Sequence, residues 1–238
     1  MKDFRYNAYM SASDKLIDVI PETIKRFNKY FSDKVSVKIF GYDKLEEKIK
    51  TEELVLPSNW SFISMGEDRG SEYWVEDLHK AFSSVDDKFF LWFIDDTWID
   101  SKVDIKTIDE LCSEHIDEKT NWFGLSEGPS KREHTIEEEF DGFNVIKLSQ
   151  QASYRVTCQF NIWNRERLLY FLSISGRDSK NMKELFPDGL TDVWWKPGEP
   201  WHWEHFGQMA AYNDGYDIYA FDGNMAVKTL DDVSRREQ

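Results

Sequence analysis

The sequence predicts an α/β fold: a single domain whose mainly parallel central sheet is covered by helices on both faces. Three observations predict it. Strand-like and helix-like segments alternate through the first half of the chain. One strand-like run, residues 89–94 (FFLWFI), is apolar without a break, as a strand is when both of its faces are covered. The 238 residues suit one large domain, and no internal repeat or low-complexity linker divides them.

Residues 4–10 (FRYNAYM) suit a first strand. Ser13 and Asp14 then open a helical stretch, with Pro21 near a helix start, where its missing N–H is tolerated. Beyond it Ile24, Phe27, Tyr30 and Phe31 recur at helical spacing. Residues 35–40 (VSVKIF) make a second strand ended by Gly41, and residues 60–64 (WSFIS) a third. A helix over 72–84 places Trp74, Val75, Leu78, Ala81 and Phe82 on one face. Residues 89–94 are the fourth strand. Asp104 caps the next helix, with Val103 and Ile108 as a hydrophobic staple and Ile105, Ile108, Leu111, Cys112 and Ile116 as its buried stripe.

The second half is less regular. Residues 122–125, 143–148 and 154–163 are expected as strands, and the acidic segment 126–141 as a mobile loop. Helices are expected over 165–173 and 180–186, and from Trp203 or Glu204 to Tyr212. The loop 188–201 is dense in Gly, Pro and Trp. Late strands are expected over 216–221 and 225–227.

Composition narrows the function. A net charge of −15, with no dense Lys/Arg stripe, repels a long phosphate backbone, so polymeric nucleic acid is excluded as a partner. A small phosphorylated ligand stays possible where a metal ion and a few cations reverse the sign locally. Aromatic residues reach 16%, with ten Trp, enough for surface platforms as well as a core. The two cysteines, Cys112 and Cys158, lack zinc spacing and fit a reducing compartment. No leader-like segment precedes the first strand, and no apolar run is long enough to span a bilayer, which reads as a cytoplasmic protein.

The chemistry begins at KFFLWFIDDTWID, residues 88–100, where a buried strand runs straight into Asp95 and Asp96. In open α/β sheets ligands bind beyond the carboxyl ends of the strands. Two carboxylates there suit a hard cation, Mn2+ or Mg2+, that keeps open positions for water and phosphate oxygens. Asp100, four residues on, either approaches the same site or sits in the loop. Taken alone, the pair also suits turn or cap residues, a phosphohydrolase or a nucleotidyltransferase.

The strand–helix alternation ending in this acid pair resembles the GT-A glycosyltransferases, a Rossmann-like fold. The closer likeness is to small sugar transferases of bacterial polysaccharide loci and of viruses and phages. It rests on the helix with Trp74 and Leu78, the acid pair, the segment YRVTCQFNIWNRERL at 154–168 and the segment PWHWE at 200–204. The resemblance implies a nucleotide-sugar half over about 1–125 and an acceptor half over about 126–238. It also implies a UDP-sugar donor, and a host-cytoplasm location if the source is viral. The pattern departs from a full DxD motif, because Ile94 stands where the first acid would be. Asp96 is therefore the expected metal ligand, with Asp95 assisting.

Further roles follow from that chemistry. Arg155 and Lys228, near strand ends, are candidate cations for the leaving diphosphate. Glu204, at a helix start after a Pro-Trp loop, is the candidate base for the acceptor hydroxyl, with His202 and His205 in reserve. Trp194, Trp195, Trp201 and Trp203, with His202, are candidate acceptor contacts, since sugar C–H faces pack on aromatic rings. Ser13, Asp14, Asp68 and Arg69 lie where the donor would meet the strand ends, or serve as capping and loop residues. An inverting hexosyltransferase is the expected activity. A catalytically silent sugar-binding protein and a metal-dependent phosphohydrolase or nucleotidyltransferase are the alternatives.

Overall fold

The apolar run at 89–94 is the strand β4 (Phe89–Ile94), and the sheet is built around it. Its residues alternate between two cores. Phe90 and Trp92 point to one face, Leu91 and Phe93 to the other, and all four are fully buried. A strand in that position has no polar face to offer, which explains its unbroken hydrophobicity. The computed structural model describes residues 6–126, 128–174 and 202–230.

β1 (Ala8–Ser11) pairs in parallel with β4 on one side and with β2 (Val37–Gly41) on the other; β2 pairs in parallel with β3 (Trp60–Ser64). On the far side of β4 lies β9 (Asn161–Asn164), antiparallel to both β4 and β6 (Thr120–Gly124). β10 (Asp217–Gly223) runs parallel to β6, and an antiparallel pair, β8 (Phe143–Leu148) and β7 (His134–Phe140), closes the edge. The order is β3-β2-β1-β4-β9-β6-β10-β8-β7. Following the pairings through, seven of the nine strands point the same way, and only β9 and β8 oppose them. A separate short ladder joins β5 (Trp98–Ile99) to β11 (Thr229–Leu230).

Helices cover both faces. On one, α1 (Ile20–Arg26), its π-helical continuation (Phe27–Phe31), α2 (Asp43–Lys50) and α4 (Ile105–His115) pack on Met10, Ile39, Phe93 and Phe123. On the other, α3 (Trp74–Ser83), α5 (Arg165–Ile174) and α6 (His202–Ala211) pack on Tyr9, Phe40, Trp92 and Trp163. Pro21 stands in the first turn of α1, and the Asp104 carboxylate accepts the Thr107 N–H at 3.3 Å as the cap of α4.

Three expectations need correction, and one helix had no counterpart among them. The segment 126–141 is no mobile loop: it forms a 3₁₀ turn (Gly128–Lys131) and then β7. Its acidic run disguised a strand because β7 is an edge strand with most side chains in solvent, and charge on an edge deters pairing with other chains. Residues 154–163 are not one strand, since only their last part, in β9, joins the sheet. Helix α2 gives little sequence signal because Leu45 is its single fully buried residue. The late strand expected at 225–227 lies further on, at β11, with Val227 making one parallel bridge to Ser126. The helix expected at 180–186 and the loop at 188–201 lie outside the described residues.

Candidate active site

The acid pair forms the turn after β4, at the carboxyl ends of the parallel strands. Two neighbours hold that turn. The Asp95 N–H donates to the Ser11 carbonyl of β1 at 3.0 Å, and the Asp95 carboxylate accepts the Ser13 N–H at 2.7 Å. From α1, the Thr23 hydroxyl donates to the Asp95 carbonyl at 2.6 Å and accepts the Trp98 indole N–H at 2.9 Å. Thr23 gives no sequence signal; only the packing of α1 across the turn shows its task.

Asp95 is buried, with 5% of its surface exposed. Burial, and next the charge of Asp96, push its carboxyl up to about 7, although the Ser13 N–H works the other way. Among the described residues no ion pair involves Asp95. Asp96 is half-buried beside it. Two adjacent hard-oxygen donors at the end of a strand fit a divalent cation. No cluster of three or more metal-binding side chains occurs among the described residues.

The antiparallel strand β9 explains how the second half of the site arrives. Its first residue, Asn161, pairs with Trp92 of β4 and Gly124 of β6. The residues just before it, 158–160, therefore lead toward the carboxyl end of β4. There the Cys158 N–H donates to a Glu204 oxygen at 2.6 Å. Burial raises the Cys158 thiol pKa most, and the negative charges of Glu204 and then Asp96 raise it further. Cys158 thus lies within electrostatic reach of both Glu204 and Asp96.

Helix α6 delivers Glu204 by gripping the preceding segment. Gln208 donates to the Ala152 carbonyl at 2.9 Å and accepts the Arg155 N–H. Gly207 allows the close approach, because a Cβ there would stand 2.8 Å from a Val156 methyl. Sequence reasoning missed this grip, and it missed Arg132. The Arg132 guanidinium donates to the Tyr154 carbonyl at 2.8 Å, stacks 4.9 Å from the Tyr154 ring and feels the charge of Glu204.

The other expected residues divide. Ser13 lies against the acid pair through its backbone. The Asp14 carboxylate accepts the Leu45 N–H at 3.3 Å in the first turn of α2. Asp68 folds its loop by accepting the Gly70 N–H at 2.9 Å. Arg69 pairs with buried Asp77 of α3 and stacks on Tyr73, yet is still 44% exposed beyond the end of β3. Lys228 is exposed, and its carbonyl accepts the Asp100 N–H at 2.9 Å. Its side chain borders an open depression of about 440 Å3 with Ser130, Lys131, Asp222 and Asn224, above the ends of β6 and β10. Asp100 itself is turned to Arg26 at 3.5 Å, in the loop.

Two assignments are overturned. Arg155 is fully buried, and its guanidinium donates to the carbonyls of Ser149, Ala211 and Tyr216 and to Asp214. It is a structural tie, with no donor surface left for a diphosphate. Trp203 is likewise fully buried, its ring 5.5 Å from that of Trp92, so it belongs to the core and not to an acceptor platform. Trp194, Trp195 and Trp201, and the side chains of His202 and His205, lie outside the described residues.

No protein-family model and no curated protein matches this sequence. Among solved structures, S. aureus TarS 1-349 is similar, with a TM-score of 0.50 at 12% identity over 90% of this chain and 57% of that one. The chain shares the fold of that structure. Looser likenesses are to the mannosyltransferase PcManGT from Pyrobaculum calidifontis in complex with GDP-Man and Mn2+ and to the glycosyltransferase GlyE in Streptococcus pneumoniae TIGR4. The first has a TM-score of 0.46 at 12% identity, over 74% of this chain and 50% of that one. The second has 0.47 at 11%, over 96% and 46%. The chain spans about half the length of these structures. No helix among the described residues is long and apolar enough to cross a membrane.

Proposed function

We propose that the protein transfers a sugar from a nucleotide diphosphate sugar, a uridine one, to a hydroxyl of a carbohydrate acceptor, with inversion at the anomeric carbon. The observation that supports this reading is the Glu204 carboxylate held by the Cys158 N–H, at a thiol that also feels the charge of Asp96. In this reading the acid pair serves the donor's diphosphate and Glu204 the acceptor.

In this reading Asp96, with Asp95, holds Mn2+ or Mg2+. A cation there neutralises the charge that grows on the departing diphosphate. Asp95 and the Ser13 N–H fix the end of β4, while Ser13, Asp14, Asp68 and Arg69 mark the donor side along the ends of β1 and β3. Lys228 lends positive charge from the C-terminal side. Glu204 takes the proton from the acceptor hydroxyl as its oxygen attacks the anomeric carbon, and the bond electrons leave with the diphosphate.

The test is turnover of UDP-sugars with Mn2+. Asp96→Ala abolishes both donor hydrolysis and transfer. Glu204→Gln lowers transfer by about 10²-fold or more while keeping the metal-dependent thermal shift given by donor. Full activity in Asp96→Ala sinks the reading. A product of retained anomeric configuration, seen by proton NMR, removes the base role of Glu204. Cleavage within the phosphate chain instead of at the sugar–phosphate bond points to a phosphohydrolase or nucleotidyltransferase.

A further inference from the structure

Three non-glycine residues among those described have positive φ: Glu52, Tyr154 and Asn213. Glu52 follows the end of α2, and Asn213 follows the end of α6, the ordinary place for left-handed backbone. Tyr154, at φ +55°, is at no helix end. A bulky side chain in that region costs energy and persists only where its surroundings dictate it. They do so here. The Tyr154 carbonyl is held by Arg132 at 2.8 Å, the next N–H is held by Gln208, and the next side chain is Arg155, tied on every side.

The strained backbone presents an aromatic ring to solvent. Tyr154 is 55% exposed, whereas most large aromatic side chains among the described residues are buried. One face of the ring is backed by the Arg132 guanidinium, 4.9 Å from its centre. Arg132 in turn lies within reach of the Glu204 charge. The ring and the guanidinium thus form one pair next to the segment that α6 grips through Gln208.

We propose that Tyr154 is a sugar-stacking platform and that Arg132 is its polar partner, a binding subsite for the ring of a carbohydrate acceptor beside Glu204. An exposed aromatic face matches the apolar C–H face of a pyranose, and a guanidinium offers N–H donors to its hydroxyls. That the bound sugar is the acceptor rests on the transferase reading; that a sugar binds does not.

The full chain is applied to a printed array of mono- and oligosaccharides, beside Tyr154→Gly, Tyr154→Phe and Arg132→Gln. Glycine suits the left-handed backbone, so Tyr154→Gly folds and melts higher than the parent. The expected result is retention of at least one glycan class by the parent and by Tyr154→Phe, with about tenfold weaker retention by Tyr154→Gly and Arg132→Gln. An array left blank by the parent, or equal retention by parent and Tyr154→Gly, overturns the platform. A parallel thermal-shift series with UDP-sugars and Mn2+ reports on the donor site alone. Array binding without that shift keeps the platform and removes the transferase reading; the shift with a blank array does the reverse.

Discussion

Asp95 bears the sharpest conflict in the chain: a carboxylate buried at the end of a hydrophobic strand, next to a second acid. Its raised value has a defined sign. A carboxyl whose pKa is higher in the folded than in the unfolded protein contributes stability fully below the unfolded value near 4, and that contribution is lost as pH rises to about 7. The loss reaches on the order of 4 kcal/mol in the metal-free protein. Asp95→Asn keeps an oxygen for the Ser13 N–H and removes the charge. Metal-free Asp95→Asn is expected to melt above the parent at pH 8 and level with or below it at pH 4.5, by calorimetry. A cation on the acid pair supplies the missing positive charge, so Mn2+ raises the parent's melting temperature more at pH 8 than at pH 5. An Asp95→Asn protein no more stable than the parent at pH 8 contradicts the burial argument.

At the scale of elements, the site depends on how α6 lies against residues 152–158. Glu204 sits one turn before Gly207, whose missing Cβ lets the helix meet Val156. Val156 is buried and β-branched, so it has little freedom to give way. Gly207→Ala is expected to push α6 outward at a cost of about 1–3 kcal/mol. Glu204 moves with it. The kcat for transfer falls by about tenfold or more, while the donor-induced thermal shift is unchanged, because Asp95 and Asp96 lie in the turn after β4, held by β1 and α1 and not by α6. Equal losses in donor binding and transfer would mean the helix supports the whole site and not the base alone.

For the whole molecule, one sheet runs from β3 to β7, and both cores share its strands. Neither half, about 1–125 or about 126–238, can keep its core without the other, since β9 inserts between β4 and β6. Thermal unfolding is expected as one transition, with tryptophan fluorescence and far-ultraviolet circular dichroism coinciding. Trp92, Trp122, Trp163 and Trp203 are fully buried on one face and report its opening. Two separated transitions would show that the halves fold independently. Saturating donor with Mn2+ shifts the single transition as a unit, by about 2.7 kcal/mol at a hundredfold excess over Kd.

Local pattern carried much of this in the sequence. The strands at 60–64, 89–94 and 143–148, the Asp104 cap and the acid pair are each written in a few consecutive residues, through side-chain periodicity and one capping oxygen. The strand β7 was hidden because an edge strand needs no buried face. Arg155 read as a ligand cation, because nothing in its neighbourhood along the chain shows the carbonyls of Ser149, Ala211 and Tyr216 that enclose it. Thr23, Arg132, Tyr154 and Gly207 were silent for the same reason: their partners lie 22 or more residues away in the chain. The sequence by itself determined the α/β architecture and the two acids at the end of β4. Tertiary structure alone decided which other residues join them, because β9 runs against its neighbours and so returns the chain, with Glu204 behind it, to the strand ends where those acids stand.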